Sequence, residues 1–174
     1  MEYADLQAVI FVSHWQLSAT ADIGIRAFSN NKANLFREVT LGMQNITLSE
    51  KGSRQITGLI RTTAEWSVQL DNCDQLELLL LKWLDEVLFM AEVEGKFLID
   101  LQPMLTVDES NVLFRAQVSY VPLEMVERGI EIKAVTSHGL QFKEVQTGEL
   151  ITSDDLDIPT FEGPGWHADI LFDI

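Results

Sequence analysis

The sequence predicts an α+β fold in which a mixed, largely antiparallel sheet carries two helices packed on one face. Three observations predict this class: two segments have apolar residues at helical spacing, extended segments flank both of them, and the late extended segments follow one another through short polar connections. This arrangement is typical of α+β domains, in which helices cover one side of a sheet.

Two strands, a helix and a longer strand are predicted in the first part of the chain. The Gln7–Leu17 segment is apolar and extended, and the Ala21–Phe28 segment is a strand that ends at a turn and helix-cap cluster, Ser29–Asn31. An amphipathic helix follows, and its core-facing positions are Ala33, Phe36, Thr40 and Met43. After a turn at Lys51–Ser53, residues 55–70 are rich in β-branched and aromatic side chains and predict a long strand.

The second helix has the most regular pattern in the chain. Asp74 and Glu77 have the spacing of a capping box at its start. Apolar residues then repeat at i, i+3, i+4 and i+7, at Leu76, Leu79, Leu80, Trp83, Leu84, Val87, Leu88 and Ala91. A stripe this regular is what burial requires, so we expect Trp83 to be a core residue.

The late segments predict a series of strands that belong to a single domain covering residues 1–174. The predicted strands are 97–107, 112–121, 130–136, 140–145 and 166–172, and the polar Asp108–Asn111 stretch is a hairpin connection. Residues 147–165 contain two prolines, three glycines and several acids, which predicts a mobile excursion from the domain. With 174 residues and 47% hydrophobic side chains, the chain can bury a sizeable core without disulfides.

The charge of the chain argues against direct, strong binding to nucleic acid. The formal net charge is −15, whereas nucleic acids are held mainly by lysines and arginines that neutralise phosphates. No lysine or arginine follows Lys143, and acids accumulate there, at Glu144, Glu149, Asp154, Asp155, Asp157, Glu162, Asp169 and Asp173. We therefore expect a protein partner with a basic surface, because opposite charges speed association.

Cysteine usage and the N-terminal residues favour the cytoplasm. The single Cys73 has no second cysteine for a disulfide or a metal pair. The chain begins with acidic residues where a secretory signal is basic, and its apolar runs are short or interrupted by charges. We expect no membrane segment.

Two anionic groups meet at the end of the last predicted strand. Asp173 is the penultimate residue, and Ile174 carries the main-chain carboxylate. Clustered carboxylate oxygens are the ligands that Ca²⁺ and Mg²⁺ prefer. Asp22, the one acid in the apolar Thr20–Ile25 stretch, is the candidate for a third ligand. The pattern alone allows two interpretations of Asp22 and Asp173: they are metal ligands, or they are ordinary surface acids.

Four collinear motifs lie at Thr20–Ile25, Trp83–Leu88, Gly129–Leu140 and Leu171–Ile174. Together they resemble the motifs of the archease family, small proteins that assist RtcB-type RNA ligases. Thr20–Ile25 (TADIGI) is similar to the family's Thr-Ala-Asp-x-Gly motif. Trp83–Leu88 (WLDEVL) resembles its Trp-Leu-Asn-Glu-Leu-Leu helix. Gly129–Leu140 (GIEIKAVTSHGL) resembles its Gly-x-Glu-Val-Lys-Ala-Val-Thr-Tyr-His-x-Leu stretch, and Leu171–Ile174 completes the set.

The resemblance implies a non-enzymatic activator of an RtcB-type RNA ligase. Such a protein promotes guanylylation of the ligase and multiple-turnover RNA joining, in tRNA splicing or RNA repair. The implied site is a divalent cation, expected to be Ca²⁺, held by Asp22, Asp173 and the carboxylate of Ile174. Lys133 and His138, within the third motif, are candidates for site support or for contact with the partner.

The chain departs from the family pattern at three places. Ser18 and Ala19 stand where archeases commonly have an acid and a histidine, so the resemblance assigns no role to that pair in this chain. Ser137 replaces the aromatic residue that usually precedes the histidine, and the stretch between Lys143 and Trp166 is longer than expected.

Two other classes of function stay open. A metal-dependent hydrolase would use the same carboxylates to position water, but the sequence offers no general base beside them. An acidic module that mimics nucleic acid would occupy a nucleic-acid-binding surface of another protein, with strong salt dependence and no need for a metal.

Overall fold

The computed structural model describes residues 13–18, 23–71 and 74–174. The strands of the described chain are β1 (His14–Ser18), β2 (Ile23–Ser29), β3 (Thr62–Leu70), β4 (Lys96–Val107), β5 (Val112–Pro122), β6 (Ala134–Val145), β7 (Leu150–Ile151), β8 (Phe161–Glu162) and β9 (Gly165–Asp173). The helices are α1 (Lys32–Thr47), α2 (Glu50–Gln55) and α3 (Leu76–Glu92), with 3₁₀ turns at Ile56–Gly58 and Leu123–Met125.

The described strands form two larger sheets and one short pair, and every pairing among them is antiparallel. One sheet has the order β1-β2-β9-β6, the second has the order β3-β5-β4, and β7 pairs with β8. Helices α1 and α3 contact both larger sheets, so they lie over one face of each. The predicted α+β class is confirmed, with the strands divided between two sheets.

The two long helices form where the apolar spacing predicts them. Asn31 caps α1 by accepting a hydrogen bond from the Asn34 backbone amide at 2.8 Å. The α3 stripe is buried, and Trp83 lies in the core with its indole Nε1 donating to Thr40 Oγ1 at 2.8 Å. Thr40 in turn donates to the Phe36 carbonyl at 2.6 Å. No helix in the described ranges is both long enough and apolar enough to span a membrane.

The predicted strand over residues 55–70 is wrong before Thr62. Helix α2 and a 3₁₀ turn occupy residues 50–58 instead, because Ser49 accepts a hydrogen bond from the Gly52 amide and starts the helix. The predicted strand over 130–136 is wrong before Ala134, and its remainder joins the predicted strand 140–145 in a single strand, β6, which protrudes between Thr136 and Gln141.

The 147–165 excursion packs against the outer face of the first sheet, the face that points away from the helices. Phe161 stacks on Phe28 of β2 with ring centroids 4.6 Å apart, and Ile151 is buried beside Val145. The Thr152 carbonyl accepts a hydrogen bond from Arg26 at 2.9 Å. The mobility of this segment stays a prediction.

A buried charge cluster joins β2 to β9 beneath the excursion. Arg26 and Asp169 are register partners, and the guanidinium binds both carboxylate oxygens, at 2.8 Å from Nε and 2.7 Å from Nη2. His167 Nε2 lies 2.9 Å from the same carboxylate, and the His167 ring is 1% exposed. A two-point contact of this kind fixes geometry as well as energy, so it favours the observed register of the two strands.

We predict that Trp83→Ala will lower the free energy of unfolding by about 3 to 5 kcal/mol, because it removes a fully buried indole and leaves a cavity. Urea denaturation followed by circular dichroism measures the change. Leu156→Ala is the matched control, since Leu156 is fully exposed. A loss below about 1 kcal/mol for Trp83→Ala would contradict the packing described here.

We also predict that acid weakens the fold through Asp169. Burial opposes ionisation of this carboxyl, but hydrogen bonds and charge from Arg26 and His167 outweigh that cost and lower the Asp169 pKa to about 2. An unfolded aspartate has a pKa of about 3.9. Since the folded pKa is the lower one, the stabilisation is present above about pH 4 and is lost as the pH falls toward 2.

The linked contribution is about 2 to 3 kcal/mol at neutral pH. Urea unfolding of the wild type and Asp169→Asn between pH 2 and 7 should show a gap in stability that narrows on the acid side. Asp154→Asn, which changes an exposed acid, is the control. A gap of constant size across this range would show that Asp169 titrates normally.

Candidate metal site

The end of β9 lies between two strands in the middle of the first sheet. Phe172 pairs with Ile23 of β2 on one side and with Val135 of β6 on the other. The Phe172 side chain is fully buried on the helix-covered face. Because side chains alternate along a strand, Asp173 points to the outer face, where it is exposed.

Lys133 holds the last two residues from the β6 side. Its backbone amide donates to the Asp173 carbonyl at 2.8 Å, and its ammonium Nζ donates to the main-chain oxygen of Ile174 at 2.9 Å. Lys133 itself lies just before β6 and is exposed, although the sequence predicted a strand over 130–136. The contact fixes the main-chain oxygen of Ile174, the residue that follows Asp173. Whether Lys133 supports a metal site stays a prediction.

Asp22, the third predicted ligand, lies outside the described residues. Its covalent neighbour Ile23 begins the described part of β2 and pairs with Phe172, the neighbour of Asp173. Consecutive Cα atoms are about 3.8 Å apart across a trans peptide. The strand register therefore brings Ile23 and Phe172 together. In the sequence, Asp22 directly precedes Ile23, and Asp173 directly follows Phe172.

The packing around Gly24 gives a physical reason for the glycine of the first motif. A β-carbon at this position would lie 2.6 Å from Leu171 Cδ2 and 2.7 Å from the Ile170 carbonyl oxygen. No ordinary side chain fits this contact, so the glycine allows β2 to approach β9 closely next to the predicted ligands.

His138 lies in the protrusion of β6, apart from the strand end. Residues 137–140 bulge out because Thr136 pairs with Leu171 while Gln141 pairs with Asp169. The His138 backbone amide donates to Thr136 Oγ1 at 3.0 Å, and Gly139 turns the chain with a φ of +68°. Within the described ranges, no hydrogen bond or ion pair links the exposed His138 side chain to Asp173 or Ile174. Its suggested role at the site or at a partner interface stays a prediction.

The donor set at the strand end fits a hard divalent cation. The described ranges contain no group of three histidine, cysteine, aspartate or glutamate side chains that could hold a metal. The predicted set is of another kind, since it combines Asp173 with a main-chain oxygen and with Asp22, which the structure does not describe. Oxygen donors of this type suit Ca²⁺ or Mg²⁺ and would not suit a metal that requires thiolates.

Two features of the structure escaped the sequence reasoning. Arg26 and Asp169 are the single cation and the first acid of two apolar strands, and both point to the outer face, which is the signal that could have paired them. Asp85 on α3 borders an apolar cleft, and its one sequence signal is the replacement of the asparagine in the family's helix motif.

Comparison with known proteins places the chain among homologues of similar length. The model of the Archease protein family (MTH1598/TM1083) matches residues 15–174. "Protein archease" of Pyrococcus furiosus is 25% identical over 132 residues, which are 74% of this chain and 87% of that protein. "Protein archease" of Thermococcus kodakarensis is 26% identical over 131 residues, with coverage of 74% and 87%.

A solved structure has the same fold. The solution structure of Methanobacterium thermoautotrophicum protein 1598 matches with a TM-score of 0.59 and 20% identity, over 94% of this chain and 100% of that one. The family match extends from β1 to the final residue and includes the strand pair around Gly24 and the strand end at Asp173. The chain therefore belongs to the archease family.

Proposed function

We propose that this protein is a non-enzymatic activator of an RtcB-type RNA ligase and that it acts through a bound divalent cation of the Ca²⁺ class. In this proposal, the protein promotes guanylylation of the ligase and multiple-turnover RNA ligation, while the ligase performs all covalent chemistry. The pairing of Ile23 with Phe172 carries the proposal, because it supports a common site for acids that are 151 residues apart in sequence, Asp22 and Asp173.

Local charge supports a divalent cation. Asp173 and the carboxylate of Ile174 contribute two negative charges, Asp22 would contribute a third, and the Lys133 ammonium offsets one of them. The remaining charge of about −2 is equal in magnitude and opposite in sign to that of one divalent ion. Such an ion, when bound, would neutralise this remainder. The chain's own residues supply the position, since β2 and β6 hold β9 from both sides.

The charge of the whole molecule supports a protein partner. A net charge of −15 repels RNA phosphates, so RNA should reach the complex through the ligase. An RNA-joining enzyme must itself present a basic surface to its substrate, and an acidic protein is attracted to such a surface. The proposed location is the cytoplasm, because the single Cys73 has no second cysteine for a disulfide.

The acidic surface also supports a second candidate, a module that mimics nucleic acid. This function and ligase activation differ in their dependence on metal. Competition with RNA that is lost at high salt and unaffected by a chelator would favour mimicry. Stimulation that a chelator abolishes and Ca²⁺ restores would favour the cation-dependent activator.

We predict that Asp22→Ala and Asp173→Ala will each abolish stimulation of the ligase and leave the fold intact, because each removes a carboxylate ligand. The measurement is a guanylylation and multiple-turnover ligation assay with the RtcB-type ligase of the same genome at limiting concentration. Asp22→Asn and Asp173→Asn separate lost charge from lost shape. Asp154→Ala removes an exposed acid of the excursion and should stimulate like the wild type. Full stimulation by both alanine variants would refute the cation site.

Extension of the chain beyond Ile174 provides an independent prediction. Two added glycines convert the Ile174 carboxylate into a neutral peptide carbonyl and move the charge along the chain. We expect stimulation to fall at least as far as it does in Asp173→Asn, while thermal unfolding stays unchanged. A control with two residues added at the N-terminus should remain active. Unchanged activity of the C-terminal extension would remove the Ile174 carboxylate from the ligand set.

A further inference from the structure

An apolar cleft lies between helix α3 and the edge strand β6. It encloses about 390 Å³. Its apolar walls are the side chains of Leu70, Leu78, Leu81 and Val135. Three polar residues, Lys82, Asp85 and Ser137, complete the lining. Because β6 is the last strand of its sheet in the described chain, no further strand covers this side.

Asp85 is the one acid that lines this cleft among the described residues. The residue is accessible from solvent, yet its carboxyl is partly enclosed, and burial raises the Asp85 pKa above its usual value. Within the described ranges, no hydrogen bond or ion pair engages its carboxylate. Lys82, one turn earlier on α3, donates to the Gln69 carbonyl at 2.9 Å instead. The cleft therefore offers a partly desolvated negative charge to an incoming cation.

The exposed face of α3 extends this surface beyond the cleft. Leu78, Asp85, Phe89 and Val93 are spaced at i, i+7, i+11 and i+15, which places them on one side of the helix. Leu78 is 46% exposed, Phe89 is 48% exposed, and Val93, just after the helix end, is 65% exposed. Large apolar side chains that share one face are typical of interaction surfaces. We call the cleft and these α3 residues the α3 face.

The α3 face adjoins the candidate cation site through β6. Val135 lines the cleft, and its neighbour Ala134 pairs with Asp173. Lys133, the next residue, binds the main-chain oxygen of Ile174. The cleft wall at Val135 is thus two residues along the chain from Lys133, which contacts the strand end.

We propose that the α3 face binds the ligase of the proposed function and that Asp85 accepts an arginine or lysine side chain of this partner between the apolar walls. The inference rests on the proposed function, because it names the surface through which the activator contacts the ligase. A basic partner is favoured because its charge is opposite to that of the Asp85 carboxylate. A basic side chain would restore favourable interactions to the enclosed carboxylate, and Leu78 and Phe89 would pack against its neighbours.

Other occupants fit the α3 face less well. A second copy of the chain would bring one Asp85 toward the acidic surface of another molecule, with the full charge of −15 on each. An anionic membrane would be repelled by the same charge. These alternatives give different results in the test below.

The test measures binding of the full-length protein to the RtcB-type ligase of the same genome by isothermal titration calorimetry with Ca²⁺ present. We expect Asp85→Lys and the double variant Leu78→Ser/Phe89→Ser each to raise the Kd about tenfold or more, since buried anchors dominate interfaces. The variants Ile60→Ser and Leu156→Ser, at side chains that are 91% and 100% exposed, are matched controls and should keep the wild-type Kd. Thermal unfolding identifies any variant that fails to fold.

The outcomes separate the inference from the proposed function. If all four variants bind the ligase with the wild-type Kd, the α3 face is not the binding surface, and the proposed ligase activation is unaffected. An absence of wild-type binding would overturn the proposed function, and the inference with it. Light scattering that shows a dimer broken by Leu78→Ser/Phe89→Ser would assign the face to a second copy. Flotation with anionic vesicles that the same variant abolishes would assign it to a membrane.

Discussion

The pairing of β2 with β9 is the constraint on which the candidate site depends. It joins an early strand to the last one, and the Arg26–Asp169 contact, with 15% and 11% of the two side chains exposed, favours a single register. A slip of β9 by one residue would turn Ile170 out of the core and would move Asp169 to the helix-covered face, away from Arg26. The register that buries the apolar residues is thus the one that brings Ile23 to Phe172, next to the predicted ligands.

The outer face of the first sheet is divided along β9. At one end, the 147–165 excursion covers Phe28, His167 and Asp169 and forms a small apolar cluster of its own. At the other end, Asp173 stays exposed, and Lys133 holds the chain from the side. One end of this face is therefore buried by the excursion, and the other end is open to solvent. The 147–165 excursion thus covers part of the sheet, a structural role that its polar, proline-containing sequence does not suggest.

The sequence predicts the long helices and the late strands because their patterns are local. The α3 stripe, the Asn31 cap and the Asp108–Asn111 connection each depend on residues that are close in the chain. The division into two sheets and the helix at Glu50–Gln55 were missed, because strand order depends on distant packing and a short helix has little periodicity. The ligand set came from family resemblance, since no local pattern relates Asp22 to Asp173. The partner of Arg26 required the register, which only the fold provides.

The most direct test of the account locates the ion itself. Backbone amide spectra of the isotope-labelled protein, recorded during a titration with Mn²⁺, report which residues lie near the paramagnetic ion. If the ends of β2 and β9 hold the ion, we expect selective broadening at Ile23, Ala134, Phe172 and Asp173, reversal by excess Ca²⁺, and no such broadening in Asp173→Ala. Broadening centred on the acids of the excursion, or the same pattern in Asp173→Ala, would contradict a cation site formed by the ends of β2 and β9.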